Sequence, residues 1–226
     1  MASLDTTMVR IGLLGGTGIE AAGLALRFAS AGVQVILGSR SRERAAAAAA
    51  AGNAILGRPL LQGLANPEML ELSEIVFLTV PFAQAVDAVE QCRSLLRRPH
   101  IVVDVTVPLI FSAGGAEYCG PNIGSNAENI APHLPADVPL VAAFKTIPAS
   151  VLADLHTALH CDVFVCGDVA GAKQSVIAAA ALIPSLRPLD CGPLRMARTL
   201  ERMTVLAADL NRRHRKKGAR FRVEGI

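Results

Sequence analysis

Short unbroken apolar runs alternate with stretches of helical spacing along almost all of the 226 residues. The apolar runs are Met8–Leu14, Val33–Gly38, Glu74–Pro81, His100–Pro108, Leu140–Phe144, Asp162–Gly167 and Leu186–Asp190. They lack polar alternation, so they predict strands buried on both faces of a sheet. Between them, Gly18–Ala31 carries Ile19, Ala22, Leu26 and Ala29 at helical spacing. The Ala-rich run Ala45–Ala51 has high helix propensity, and a further helix is predicted from about Phe82 to Arg97. Alternation at this interval predicts an α/β fold, a Rossmann-type, doubly wound and mostly parallel sheet with helices on both faces. A small C-terminal α/β extension and a long final helix complete it. That helix, from Pro193, puts Ala197, Leu200, Met203, Ala207 and Leu210 on one stripe, which must cover its own sheet or a partner subunit. Ser112–Pro139 is the main irregularity, rich in Gly, Asn and Pro. It reads as a functional segment or as a peripheral loop with a short helix from Ala127.

Composition narrows the class. The chain is 52% hydrophobic and 18% charged, which excludes a disordered chain. No run reaches the roughly 18 apolar residues of a membrane span, because Arg27 and the pair Lys173–Gln174 interrupt the richest windows. The opening stretch MASLDTTMVR lacks the apolar core of a secretory signal. Cys92, Cys119, Cys161, Cys166 and Cys191 are scattered, and none pairs at CxxC spacing. They predict reduced thiols in a cytoplasmic protein, not a disulfide framework or a metal site. The net charge of +3 is too small to argue for nucleic acid, which is not expected as a partner, but its distribution is uneven. From Arg195 onward ten Lys or Arg residues face only Glu201, Asp209 and Glu224. This basic end reads either as a solvated helix end and tail or as a contact for an anionic ligand or nucleic acid.

The chemistry begins after Leu14. Gly16, Gly18 and Ala21 stand in GxGxxA register, following a strand and opening a helix, which is the context that makes this pattern a dinucleotide site. The first glycine is expected to allow the tight turn, the second to let the backbone approach a pyrophosphate, and the small third residue to let helix and strand pack closely. The helix N-terminus then offers free N–H groups to the phosphates. The next strand runs into GSRSRER, where the acid that would bind the ribose of NAD is missing. Ser39 and Arg40 occupy its place, with Arg42 and Arg44 nearby, and a guanidinium there suits the 2′-phosphate of NADP. The competing reading is that Arg40 pairs with Glu43. Thr79, Val80, Pro81 and Phe82 are placed beside the dinucleotide, beyond the carboxyl end of their strand. Lys145, at the end of Leu140–Phe144, is either the one cation facing that crevice or a solvated loop residue. No Tyr-x-x-x-Lys or Ser-x-x-x-Lys pair and no paired catalytic carboxylates appear, and His156 and His160 read as helix-surface residues. Such a site is poor in acid–base groups and suits hydride transfer between two bound redox cofactors.

LLGGTG (Leu13–Gly18), GSR (Gly38–Arg40), LTVP (Leu78–Pro81), TIPA (Thr146–Ala149), VCGD (Val165–Asp168) and LRPLDCGPL (Leu186–Leu194) occur in the order seen in the NADPH-dependent F420 reductases. The chain resembles that family over nearly its whole length beyond the first seven residues. The resemblance implies hydride exchange between nicotinamide C4 of NADP and C5 of the deazaflavin coenzyme F420, in a homodimer. It implies that Thr17, Gly18, Ile19 and Glu20 surround the pyrophosphate, and that Ser39, Arg40 and Arg44 hold the 2′-phosphate. Val80, Pro81 and Ala149 would line the NADP path, and Lys145, Thr146, Ile147 and Pro148 would lie beside the deazaflavin. Residues 1–7 are expected to be a flexible extension, 8–144 the NADP-binding Rossmann domain, and 145–226 a smaller part completing the deazaflavin cleft and dimer contacts. Archaeal relatives commonly carry His where Lys145 stands, and Lys145 is the catalytic candidate, stabilising negative charge on the reduced deazaflavin. Glu20 adds a charge near the phosphates, which is unfavourable unless it points away. Two other functions fit the same residues: an NADPH-dependent reductase of a flavin, quinone or metal chelate, and a non-catalytic NADP-binding sensor.

Overall fold

The computed structural model describes residues 10–122 and 124–226; the expected extension over 1–7 lies outside them. Eight strands form one sheet in the order β10-β9-β8-β5-β4-β1-β2-β3. They are β1 (Ile11–Leu14), β2 (Val35–Ser39), β3 (Leu61–Ala65), β4 (Ile75–Leu78), β5 (Ile101–Asp104), β8 (Leu140–Ala142), β9 (Cys161–Gly167) and β10 (Leu186–Asp190). Every neighbouring pair is parallel except β8 and β9, so the doubly wound sheet stands as expected. The C-terminal strands β9 and β10 extend this same sheet.

Alternate residues of each buried strand feed opposite layers. Ile11, Leu13, Ile75 and Phe77 pack under α1 (Ile19–Ser30), α2 (Arg42–Leu56), α6 (Ala149–Ala153) and α7 (Ala170–Ala181). Leu14, Val76 and Leu78 pack under α3 (Asn66–Leu72), α4 (Ala85–Cys92), α5 (Asn126–Ile130) and α8 (Ala197–Arg213). The strand order reverses between β1 and β4, and in such sheets the crevice beyond the carboxyl ends at the reversal is where ligands bind.

Two features escape the hydrophobic pattern. Edge strand β3 reads LQGLA and is only partly buried. Its Gly63 lies so close to α2 that a Cβ would come within 2.1 Å of the Ala45 carbonyl oxygen. The irregular segment opens with an antiparallel hairpin, β6 (Leu109–Ser112) and β7 (Gly115–Tyr118). His156 and His160 lie in the non-helical stretch between α6 and β9, which corrects their reading as helix-surface residues. Among the described residues no helix is long and apolar enough to cross a membrane, and all five cysteines are free.

Candidate functional site

The glycine turn is built one residue earlier than its pattern suggests. Gly15 is the residue in the left-handed region, at φ 87°, and a Cβ on it would meet Val80 at 2.6 Å. Gly16 instead permits close packing on β2: its N–H donates to the Gly38 carbonyl at 2.8 Å, and a Cβ would lie 2.9 Å from the Leu37 Cα. Gly18 caps α1 without a side-chain bond, and nothing in the protein stands closer than 3.6 Å to its missing Cβ. The backbone N–H groups of Ile19, Glu20 and Ala21 open the helix with no intrahelical acceptor, which makes this end an anion site. Glu20 is half-buried, and burial pushes its carboxyl up to about 8. Near neutral pH it is largely protonated, so the charge that would oppose a phosphate is mostly absent.

The turn opens into a cleft of about 420 Å³ lined by Thr17, Gly18, Ser39, Arg40, Arg44, Thr79, Val80 and Pro81. Eight of the expected cofactor residues therefore meet here. Thr79 is tied down, its hydroxyl donating to the Leu14 carbonyl at 2.9 Å. Around Arg40 the carboxylates are otherwise engaged. Glu43 accepts from the Ser41 hydroxyl at 2.8 Å, and Glu68 pairs with Arg42 at 2.8 Å. Among the described residues neither Arg40 nor Arg44 has a carboxylate partner, so the Arg40–Glu43 alternative fails. Gly16, Ile19, Glu20 and Ala149 do not line the cleft. The first packs behind it, and Ile19 and Glu20 face it through the start of α1 only.

Four polar lining residues were not singled out from the sequence: Asn66, Gln84, Asp87 and Gln91. The last three, with Ala88, follow i, i+3, i+4, i+7 spacing, a polar face that the sequence does carry. Asn66 follows the unrecognised strand β3 and gave no comparable signal.

A second cleft, also about 420 Å³, lies beyond β8. Thr146, Ile147 and Pro148 line it with Leu109 and Phe111 of the hairpin, Ala207 and Ala208 of α8, and Arg212, Lys216 and Lys217 at the basic end. Its wall is mostly apolar, which suits a flat ring.

Lys145 does not face either cleft. Phe144 turns the chain through φ 57° and packs against Phe28 and Phe77, which sends the next side chain inward. The Lys145 side chain is fully buried, 2.7 Å from the Asp104 carboxylate and 3.3 Å from that of Glu201. It also donates to the Thr106 carbonyl at 2.5 Å. Glu201 accepts in addition from the Tyr118 hydroxyl at 2.9 Å and from the Asn126 N–H at 3.0 Å. Burial, with the Glu201 carboxylate, holds the Tyr118 phenol above its ordinary range. The sequence reading of Lys145 as a free cation at the crevice is thus corrected. It sits between two carboxylates from distant parts of the chain, a pairing that spacing could not reveal. The cluster joins β5, β7, α5 and α8 directly behind Thr146–Pro148.

Comparison with known proteins agrees with this geometry. Residues 10–108 match the family model described as NADP oxidoreductase, coenzyme F420-dependent. The chain is 35% identical over 228 residues to the F420-dependent NADP reductase of Methanothermobacter thermautotrophicus, covering 99% of this chain and 98% of the relative. It is 34% identical over 224 residues to the enzyme of the same description from Methanocaldococcus jannaschii, covering 96% and 99%. A crystal structure of a candidate F420-dependent NADP reductase from Arthrobacter sp. fb24 superposes with a TM-score of 0.80 at 24% identity, covering 96% of this chain and all of that one. That last likeness speaks for the fold.

Proposed function

The chain belongs to the coenzyme F420-dependent NADP oxidoreductases, and from that premise we propose how its two clefts divide the work. The protein is an oxidoreductase that transfers a hydride between NADP(H) and F420. The observation that carries the assignment of the first cleft is the pair Arg40 and Arg44, two guanidiniums without carboxylate partners beside a glycine turn. They fit a 2′-phosphate, and the open N-terminus of α1 fits the pyrophosphate. The second cleft is where we place the deazaflavin, with Thr146, Ile147 and Pro148 against its ring and Ala149 at the start of the helix behind them. Its mouth carries Lys216 and Lys217, suited to the acidic tail of this coenzyme.

When bound, NADPH supplies a hydride from nicotinamide C4 to deazaflavin C5, the acceptor gaining the electron pair and a proton from solvent balancing the reduction. The protein positions rather than protonates. Val80 and Pro81 border the path on one side and the Thr146–Pro148 segment on the other. Lys145 acts as a positioning residue: its ion cluster fixes the backbone from which that segment departs, and its own carbonyl accepts from the Thr204 hydroxyl at 2.7 Å. A homodimer is part of the same proposal, supported by the exposed apolar side chains of Phe111, Leu206 and Leu210, as is a cytoplasmic location, supported by five free thiols.

The test is stopped-flow absorbance with NADPH against F420, FMN and riboflavin. Rapid bleaching of F420 alone is expected. Oxidation of NADPH by flavin without bleaching of F420 would move the second cleft to another acceptor, and silence with every acceptor would favour an NADP-binding sensor. Lys145→Met is expected to cost about 3–5 kcal/mol of stability, because it leaves two buried carboxylates unpaired, and to lower the hydride-transfer rate with little change in NADP affinity. Full stability and full turnover in that variant would remove the positioning role.

A further inference from the structure

We propose that Asn66 reads the 2′-phosphate, and so helps this chain choose NADP over NAD. The inference rests on the NADP reading above and adds a residue that the glycine turn and the arginines do not predict. Asn66 follows Ala65, the last residue of β3, which stands in register with Ser39 of β2. It therefore sits at the strand end next to the Ser39–Arg40 corner, and it lines the same cleft.

Its carboxamide is oriented in an unusual way. The Oδ1 atom is buried without a hydrogen-bond partner, the one such side-chain atom among the described residues. It lies against the backbone of Gly38, where a Cβ would approach it to 2.9 Å. An orphaned buried oxygen is unfavourable. Because the amide is planar, burying Oδ1 turns Nδ2 the other way, toward the cleft. Among the described residues no protein group accepts from that Nδ2. The open end of Asn66 is thus a pair of N–H donors with nothing to donate to.

The surrounding charges say what they would meet. Arg42 is held by Glu68 at 2.8 Å, and the other Glu68 oxygen accepts from the Ala65 N–H at 3.1 Å. That carboxylate is paired and does not line the cleft, while among the described residues Arg40 and Arg44 have no carboxylate partner. Two cations and an amide donor around one corner match a dianion with several acceptor oxygens. A ribose 2′-hydroxyl carries no charge to meet the two guanidiniums.

The experiment is calorimetric titration of the wild type, Asn66→Ala and Asn66→Asp with 2′,5′-ADP and with 5′-ADP, a pair in which only the first carries the 2′-phosphate. A hydrogen bond to a charged group corresponds to roughly a tenfold or greater change in affinity. Asn66→Ala is therefore expected to weaken 2′,5′-ADP about tenfold, and Asn66→Asp more, since it sets a carboxylate against the phosphate. Binding of 5′-ADP should change less than about twofold by the same scale. Asn66→Asp also guards against a folding artefact, because an acid in the first turn of α3 is favourable to the helix. Equal 2′,5′-ADP affinity in all three proteins would overturn the inference. So would parallel loss of both ligands, which would make Asn66 a structural residue. A wild type that binds both ligands alike would instead overturn the NADP reading, and the role of Asn66 with it.

Discussion

Glu20 carries the residue-scale consequence most open to measurement. Its carboxyl is pushed up to about 8 from an ordinary 4.5 by burial. Between those values the unfolded chain has released its proton and the folded chain keeps it. Linkage then requires the contribution of Glu20 to stability to be fully present below pH 4.5, to fall as pH rises, and to be lost above 8. Glu20→Gln removes this contribution, so thermal unfolding of the variant should decline less between pH 5 and 8 than that of the wild type. Above pH 8 the ionised carboxylate also stands beside the open start of α1, where it opposes a phosphate. NADP should accordingly bind more weakly there in the wild type and keep its affinity in the variant. Identical pH profiles for the two proteins would rule out a raised Glu20. At this scale the sequence was partly readable. GxGxxA located the turn because pattern and context are local, but it gave the tight turn to Gly16, whereas Gly15 is the left-handed residue and packs on Val80, just beyond β4. Lys145 was misread for a similar reason: a strand end is legible, whereas two carboxylates arriving from β5 and α8 are not.

Elements are held in register by a residue that breaks the apolar pattern, Arg27. It interrupts the apolar face of α1 and is buried. Its guanidinium donates to the carbonyls of Leu152 at 2.9 Å, Val151 at 2.8 Å and Thr157 at 2.9 Å, and to that of Asp154. These are the carbonyls at and just beyond the end of α6, which no intrahelical donor can reach. Arg27 thus clamps the nucleotide helix to the helix that follows Thr146–Pro148, and so couples the walls of the two clefts. Gly23 allows the approach, since a Cβ there would lie 2.7 Å from that of Leu152. Arg27→Met keeps most of the bulk and removes every donor. A loss of about 3 kcal/mol is expected in urea unfolding with an unchanged slope, together with slower hydride transfer. A loss below about 1 kcal/mol would mean that water replaces the clamp. The strands with unbroken apolar runs were legible because burial on both faces leaves that mark. Edge strand β3 and the β6–β7 hairpin are half-exposed, so their mark is weak, and Asn66 went unseen with β3.

For the whole molecule, the final helix decides what the chain does beyond its own sheet. Ala197, Leu200 and Ala207 of the expected stripe are buried against it, and Glu201 carries the ion cluster between them. Leu206 and Leu210 are 53% and 37% exposed, and Phe111 on the adjoining hairpin is 68% exposed. One side of α8 thus serves the core and lines the second cleft through Ala207 and Ala208, the other leaves Leu206 and Leu210 exposed, and Phe111 adds apolar surface at that cleft. Burying such side chains is favourable by about 1.5–3 kcal/mol each, and a twofold contact doubles every gain because the same patch occurs on both copies. Phe111 lines the cleft that holds Thr146–Pro148, so a second copy that also covers the hairpin would cover that cleft and link assembly to activity. Sedimentation of the wild type should therefore give twice the chain mass of 23.6 kDa, and Leu206→Glu should give the single mass. Because Leu206 contributes little to the core of its own chain, the variant should keep its thermal stability at low concentration and its affinity for 2′,5′-ADP. Its turnover of F420 should fall if the contact also covers Phe111 at the second cleft, with the first cleft untouched. A monomeric wild type, or a Leu206→Glu variant that stays dimeric, would place the subunit contact away from α8.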